Sequence, residues 1–144
     1  MFKRILVPTD GSDITAKAID TSVELARSLG AVLHTIRVKE PFPSSAISEM
    51  QPTPPQEFFD AQERIAASRV HAVVDLCRKA GVPCQAHTVE ALHPWEAIID
   101  HAKRMQCDLL VMASHGRRGV SALLLGSETQ KVLTHSKVPV LVVR

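Results

Sequence analysis

Short apolar segments alternate with longer helical segments along this chain, and this alternation is the strongest constraint on its fold. The strand-like segments are residues 2–7, 31–38, 82–89, 107–112 and 138–143. The segments with helical periodicity are residues 12–29, 56–80, 94–105 and 127–135. Strands that follow one another through helices form right-handed crossovers and a parallel sheet covered by helices on both faces. We therefore predict a three-layer α/β/α sandwich with a five-stranded parallel sheet in the order 3-2-1-4-5.

Glycine and proline mark the ends of several of these segments. Gly30 ends the first helical segment as a left-handed cap does, and Pro94 opens the third one. Residues 39–55 are rich in proline and serine, which predicts a long loop. The fourth apolar segment lacks polar alternation, as expected of a parallel strand that is covered on both faces. These signals agree with the alternating fold.

Length and composition indicate one small domain without a nucleic-acid or membrane partner. A chain of 144 residues is long enough for one domain with its own core. Its net charge of +2, with 22% charged residues, is too balanced to favour nucleic-acid binding. The first apolar segment stops at Pro8, and no apolar segment approaches the roughly 20 residues that cross a bilayer. We expect a single domain over residues 1–144, located in the cytoplasm.

The cysteines do not indicate a disulfide framework. Cys77, Cys84 and Cys107 are an odd number without close pairing, so we expect free thiols in a reducing compartment. Cys77 and Cys84 could bind a metal together with His71 and His87, but none of the pairs has the Cys-x2-Cys spacing of structural zinc sites. Cys77 also falls on the apolar stripe of the second helical segment. We therefore predict no metal site.

The stretch from Ala113 to Thr129 follows the fourth apolar segment and has the order of a phosphate-binding loop. It reads Ala-Ser-His-Gly-Arg-Arg-Gly-Val-Ser-Ala-Leu-Leu-Leu-Gly-Ser-Glu-Thr. Glycine lets backbone N–H groups approach an anion closely, and a helix that starts near Ser127 adds unpaired N–H donors and the positive end of its dipole. This stretch is the best functional clue in the sequence.

A second segment is expected at the same edge of the sheet. In open α/β sheets, ligands bind beyond the carboxyl ends of the strands where the strand order reverses. For the order 3-2-1-4-5, this point lies between strands one and four. Residues 8–12, which include the acidic Asp10, follow strand one, and residues 113–116 follow strand four. The two segments should therefore meet, although Asp10-Gly11-Ser12 also fits a simple turn into a capped helix.

Taken together, these segments resemble the universal stress protein family. The ATP-binding branch of that family carries Gly-x2-Gly-x9-Gly-(Ser/Thr) after strand four, and this chain has Ala113-x2-Gly116-x9-Gly126-Ser127. The first and last strand-like segments also match, so the resemblance covers nearly the whole chain. It implies the adenine nucleotide alpha hydrolase-like fold and a site for ATP, with or without magnesium.

The resemblance implies a role for each matching position. Asp10 would accept hydrogen bonds at the ribose or adenine end of the nucleotide, and Val38 would meet adenine through its backbone. Gly126 and Ser127 would hold the far end of the phosphates through N–H and hydroxyl groups. The residues that complete the implied nucleotide site are Pro8, Thr9, Met112, Ala113, His115, Gly116, Arg117, Glu128 and Thr129. No catalytic or metal-binding residue is assigned.

Two residues depart from the pattern expected of such a loop. Ala113 replaces the first glycine, and its methyl group matters if the residue needs a positive φ or touches phosphate. Glu128 places a carboxylate near anionic phosphates, where it would repel them unless it points away or helps to hold magnesium. We expect that it points away.

Several residues of the stretch also have purely structural explanations. Ser127 and Gln130 fit a capping box, which would satisfy the donors of the helix itself. Arg117 and Arg118 either pair with phosphate or only keep the surface soluble. His115 is expected to position phosphate or to be solvated, rather than to act as a catalytic base.

The function predicted is a nucleotide-dependent sensor or regulator in the stress response, with at most slow ATP hydrolysis. The alternative is a nucleotide-free protein-interaction module, which the alanine at position 113 favours. A P-loop enzyme is disfavoured because Gly126-Ser127 lacks the lysine of Gly-Lys-(Ser/Thr). An ATP pyrophosphatase of related fold needs Ser-Gly-Gly-x-Asp-Ser after strand one and ranks last, because this chain has Asp10-Gly11-Ser12-Asp13 there.

The last strand-like segment predicts self-association. A strand from Val138 to Val143 would form an apolar sheet edge with unpaired backbone groups, which is a liability unless it is covered or paired. The family resemblance implies that it pairs antiparallel with its copy in a second subunit. Pro139, near the start of the strand, lacks an N–H group where none is needed. We expect a homodimer and an unidentified protein partner.

Overall fold

The structure, a computed structural model, describes residues 1–11, 13–39, 41, 56–115 and 125–144. Its elements are β1 (Arg4–Pro8), α1 (Asp13–Leu29), β2 (Val32–Lys39), α2 (Gln56–Ala80), β3 (Cys84–Glu90), α3 (Pro94–Arg104), β4 (Leu109–Ala113), α4 (Ser127–His135) and β5 (Val140–Val143). The bounds predicted for α2 and α4 are confirmed. Most of the predicted loop over residues 39–55 lies outside the described residues.

Each strand begins one or two residues later than the sequence predicts. For β1 the reason is visible, because a side chain takes the place of a neighbouring strand. The Asp108 carboxylate accepts the N–H of Lys3 at 2.9 Å and the N–H of Arg4 at 3.0 Å. The apolar segment therefore begins before strand pairing does, and the predicted strand starts too early.

The five strands form one parallel sheet in the order β3-β2-β1-β4-β5, as predicted. β1 lies at its centre and pairs with β2 on one side and β4 on the other, so that Ile5 is level with both Leu33 and Leu109. The strand order reverses between β1 and β4. The carboxyl ends of these two strands therefore lie side by side.

Helices cover both faces of the sheet. α1 and α2 pack on the first face, where the core includes Ile5, Val7, Leu33, Val73 and Cys77. α3 and α4 pack on the second face, where the core includes Leu6, Ile36, Ile98, Ala102 and Val132. Because side chains alternate along a strand, neighbouring residues of one strand belong to different cores. Two separate apolar layers thus hold the sheet between helices.

The second face also buries histidines. His34 of β2 and His101 of α3 are only 3% and 2% exposed. The His101 ring centroid lies 4.5 Å from that of His87, and the His34 and His87 centroids are 6.3 Å apart. No described residue pairs with either ring nitrogen of His34 or His101. Burial, followed by the nearby His87, lowers the pKa of His34 and lowers that of His101 to about 4.

The helix patterns predicted most of the buried positions. The helical spacing of residues 56–80 predicts one buried stripe that contains Phe59, Ala66, Val70, Val73 and Cys77, and of these Val70, Val73 and Cys77 are buried. Phe59, in the first turns of α2, is instead 38% exposed and contacts Phe58 edge to face. None of the described helices has an apolar stretch that is long enough to cross a membrane.

Candidate functional site

A cavity of about 540 Å³ lies at the carboxyl ends of the central strands. The predicted site residues that line it are Pro8, Thr9, Asp10, Val38, Met112, Ala113, His115, Gly126, Ser127, Glu128 and Thr129. Gly116 and Arg117 lie outside the described residues, as does Arg118. The structure therefore brings every described residue of the predicted set into one cavity.

Hydrogen bonds within the chain fix the turn after β1. The buried Thr9 donates its N–H to the Ile36 carbonyl at 3.0 Å, and its hydroxyl accepts the Gly11 N–H at 3.3 Å. The Thr15 hydroxyl donates to Asp10 Oδ1 at 2.9 Å. The half-buried Asp10 carboxylate is thus held in one orientation at the wall of the cavity.

Gly11 makes room for an arginine that the sequence analysis did not consider. Its φ of +80° lies in the left-handed region, which residues with a side chain rarely adopt. A Cβ at this position would lie 2.6 Å from Arg69 Nε. Arg69 comes from α2, passes over Gly11 and lines the cavity beside Asp10. The turn after β1 therefore requires glycine for its backbone, and Arg69 would have to shift to admit a Cβ.

Gly126 is required for a different reason. Its backbone is extended, with φ of −62° and ψ of 152°, and its N–H donates to the Ser114 carbonyl at 2.7 Å. A Cβ would lie 3.0 Å from His115 Cα and 3.1 Å from His115 Cβ. His115 itself is tied to its neighbour, since its Nδ1 lies 3.0 Å from Ser114 Oγ. The segment before α4 therefore packs directly on the segment after β4.

The capping box offered as a structural explanation of Ser127 and Gln130 does not form. Gly126 is the N-cap residue, no side chain caps the helix there, and Ser127 is already the first helical residue. From that position its hydroxyl does not serve the N-terminal N–H groups as an N-cap side chain does. Gln130 Nε2 instead donates to the Leu125 carbonyl at 2.8 Å. The exposed Ser127 hydroxyl thus lines the cavity without a capping role.

Ala113 fits its position without strain. It is the last residue of β4, and its methyl group joins the buried core of the first face. Among the described residues other than glycine, only Gln106 has a positive φ. The Ala113 carbonyl accepts the buried Thr129 hydroxyl at 2.8 Å, which ties β4 to α4. The backbone therefore gives no reason for glycine at position 113.

The Glu128 carboxylate is directed to the start of α3. Its Oε2 accepts the Trp95 N–H at 2.8 Å. The Trp95 ring in turn stacks on His135, with centroids 4.6 Å apart and planes 25° apart. The hydrogen bond joins the N-terminal turns of α3 and α4, and the ring contact joins the start of α3 to the last residue of α4. The sequence predicted that the carboxylate points away from the phosphate loop but did not identify this partner.

The cavity also contains residues that the sequence did not predict, and these differ between the two faces of the sheet. Thr15, Arg37, Gln62 and Arg69 form a polar wall on the first face, and Ile36, Leu92, Pro94 and Ile98 extend an apolar wall on the second. The alternation of side chains along β2 could have predicted Ile36 and Arg37 on opposite faces. Another signal is the position of Gln62 and Arg69, seven residues apart beside the apolar stripe of α2. Such a cavity suits a ligand with an apolar ring and a polar, anionic part.

A sequence model of the universal stress protein family matches residues 1–144, the whole of this chain. The chain belongs to the universal stress protein family. Universal stress protein YxiE of Bacillus subtilis is 32% identical over 148 residues, which cover 100% of both chains. The family and the fold predicted from three short segments are therefore confirmed.

Solved structures of universal stress proteins agree with this fold. Hypothetical protein MJ0577 is similar with a TM-score of 0.82 and 25% identity, covering 99% of this chain and 96% of the other. A universal stress protein in complex with cAMP is similar with a TM-score of 0.69 and 26% identity, covering 99% and 97%. Among the described residues of this family member, no group of three or more His, Cys, Asp and Glu side chains could hold a metal ion.

Proposed function

We propose that this universal stress protein binds an adenine nucleotide, expected to be ATP with or without magnesium, in the cavity at the ends of β1 and β4. It would act in the cytoplasm as a nucleotide-dependent sensor or regulator that signals to a protein partner. One observation carries the proposal: two motif segments about a hundred residues apart line the same cavity of about 540 Å³. This volume is within the range typical of small-molecule sites.

The two walls of the cavity match the two ends of such a ligand. Apolar side chains of the second face, among them Val38, Ile98 and Met112, would contact the adenine ring. The Asp10 carboxylate would accept hydrogen bonds from ribose hydroxyls, because an ionised carboxylate is an acceptor only. The N-terminus of α4, which begins at Ser127, would receive the phosphates.

A relative of known structure supports the choice of an adenine nucleotide. The universal stress protein in complex with cAMP shares this fold and 26% of its residues with this chain. With no catalytic residue assigned, we expect ATP hydrolysis to be slow at most, because phosphoryl transfer depends on groups that position the nucleophile and stabilise the transition state.

The first test is a search for the nucleotide itself. The purified protein is denatured, and any released nucleotide is identified by chromatography and mass spectrometry. In parallel, thermal unfolding is recorded with and without ATP. A ligand at 100 times its Kd stabilises a protein by about 2.7 kcal/mol, which for a domain of this size is a shift of several degrees. The proposal would be contradicted if no nucleotide co-purified with the protein and millimolar ATP caused no thermal shift.

A matched pair of variants ties the shift to the cavity. Asp10→Asn keeps the size of the side chain but removes its charge, so we expect the ATP-induced shift to fall by half or more. Asp20→Asn makes the same chemical change on the exposed surface of α1 and should leave the shift unchanged. A bulky residue in place of Gly126 should abolish the shift, because even a Cβ there meets the His115 backbone. Equal shifts in all three variants would place the nucleotide elsewhere.

The edge of the sheet supports the proposed homodimer. β5 is the last strand of the sheet, and its Leu141 side chain is 39% exposed. We propose that β5 (Val140–Val143), within the predicted segment Val138 to Val143, pairs antiparallel with its copy in a second subunit. Light scattering on the purified protein should give twice the 15.7 kDa of one chain. A monomer mass at micromolar concentration would contradict this pairing.

A further inference from the structure

Two helices begin at the cavity, and they differ in how their N-terminal donors are used. α3 begins at Pro94 and α4 at Ser127, and both residues line the cavity. Neither N-cap residue, His93 or Gly126, caps its helix with a side chain. The first N–H groups of any helix lack partners inside the helix and attract anions. Each of the two starts could therefore receive an anionic group.

The start of α3 is already satisfied by the chain. Pro94 has no N–H, and the N–H of Trp95 donates to Glu128 Oε2 at 2.8 Å. The next two N–H groups, those of Glu96 and Ala97, donate to the His93 carbonyl at 3.1 and 3.3 Å. The Glu128 carboxylate thus occupies the anion position of α3. This leaves the start of α4 for an anion that comes from a ligand.

Glu128 belongs to the first turn of α4, so the carboxylate that occupies one helix start is also close to the other. Among the residues that the structure describes, no Lys, Arg or His nitrogen forms an ion pair with it. The arginines of the cavity, Arg37 and Arg69, come from β2 and α2 on the polar wall. A phosphate at the start of α4 would therefore face a negative charge that forms no ion pair with any Lys, Arg or His of the described residues.

We propose that Glu128 sets the phosphate preference of the site, because its carboxylate, held by the Trp95 N–H, weakens the binding of each added phosphate group. The carboxylate taken alone favours an adenosine monophosphate, linear or cyclic, over a triphosphate that carries no magnesium, so it weakens the ATP binding proposed above without abolishing it. The inference rests on the proposed nucleotide site and names its specificity-determining residue. It concerns binding alone and includes no chemical step.

The test compares adenosine, AMP and ATP by titration calorimetry on the wild type and on Glu128→Gln, without magnesium. Glutamine keeps an oxygen that accepts the Trp95 N–H and removes only the charge. We expect unchanged adenosine affinity, a gain of about threefold for AMP and a gain of about tenfold for ATP, since repulsion grows with ligand charge. The gain should shrink at high salt.

The control is Glu96→Gln, which removes the same charge from the first turn of α3. Glu96 is exposed and does not line the cavity, so all three affinities should stay within error of the wild type. Thermal unfolding of both variants without ligand confirms that they are folded. If Glu96→Gln also gains affinity in the order adenosine, AMP, ATP, the gain is a general effect of charge, and the inference is overturned.

The outcomes separate this inference from the proposed function. If the wild type binds none of the three ligands at millimolar concentration, the nucleotide site is wrong and the role of Glu128 is wrong with it. If the wild type binds them but Glu128→Gln gains equally for all three or for none, only the inference is wrong. If magnesium is added and Glu128→Gln then binds ATP more weakly, the carboxylate holds the cation and does not repel the phosphates.

Discussion

The two faces of the sheet place their polar groups at opposite depths. The face under α1 and α2 is largely apolar inside, with Ser22 and Thr35 as uncharged polar exceptions, and carries the charged Arg37 and Arg69 at the cavity. The face under α3 and α4 buries His34 and His101 inside and becomes apolar at the cavity, where Ile98 is part of the wall. We therefore expect the second face to make the stability of the protein depend on pH, whereas the first face supplies charged side chains to the ligand.

The largest effect that tests this comparison is the acid sensitivity of the second face. Burial lowers the pKa of His101 in the folded protein to about 4, from an ordinary value of 6.5. The unfolded chain therefore takes up this proton first as the pH falls. The neutral ring contributes about 3 kcal/mol to the free energy of unfolding. This contribution is fully present above pH 6.5 and is lost as the pH falls through 4.

His101→Leu removes the titratable imidazole and fills its place in the core with an apolar side chain. The groups around the ring are His34, His87 and Arg104, whose charges also oppose its protonation, with Arg4 acting on His34. We expect the unfolding free energy of the variant, measured in urea at pH 7 and pH 4, to fall less than that of the wild type.

The control for this measurement is His71→Leu, which removes an exposed imidazole from α2 on the other face. It should follow the wild-type pH profile. If His101→Leu also follows that profile, the buried histidines do not set the acid sensitivity, and the contrast between the two faces is limited to the cavity.

Local sequence signals predicted the fold well because they act over short distances. The bounds of α2 follow from its apolar stripe and from the Gly81 and Pro83 that end it. The burial of His34 could not be predicted in the same way. The pattern of an apolar strand does not show whether a histidine within it is buried. The burial of His34 depends on α3, which packs over it and begins some sixty residues further along the chain.

The next effect concerns the polar wall, where Gly11 and Arg69 are in contact. Gly11→Ala forces a side chain into a left-handed backbone and displaces the arginine. We expect a loss of about 2 kcal/mol in unfolding free energy. The affinity for nucleotide should also fall, because the displaced guanidinium belongs to the cavity wall.

Gly81→Ala is the matched control for the backbone. Gly81 has a similar φ of +72°, but an added Cβ would meet nothing within 4 Å. It should cost about 1 kcal/mol and leave nucleotide affinity unchanged. The difference between the two losses of unfolding free energy measures the clash with Arg69. Adding Arg69→Ala to Gly11→Ala should make this difference smaller. Equal losses at both glycines would show that this contact has no energetic effect.

The candidate site was predictable where one motif carried it, and not where distant elements contribute. Asp10, Gly126 and Ser127 follow from strand-turn-helix order. Arg69 lies in the middle of a long helix, where a cation beside an apolar stripe is common on any surface. The orientation of Glu128 depends on the Trp95 N–H, which lies 33 residues away in the chain. A residue list alone does not reveal such a pairing.

The smallest expected effect lies at Ala113, where the two faces and the two motif segments meet. Its side chain packs in the core of the first face and its carbonyl is held by Thr129, with no positive φ to relieve. Ala113→Gly restores the glycine of the family pattern but adds backbone freedom, so we expect a loss of about 0.5 to 1 kcal/mol in urea unfolding. ATP affinity should change by less than about threefold, which is within about 0.7 kcal/mol. A larger gain in affinity would show that the methyl group obstructs the phosphates, and the nucleotide-free alternative would then regain its main support.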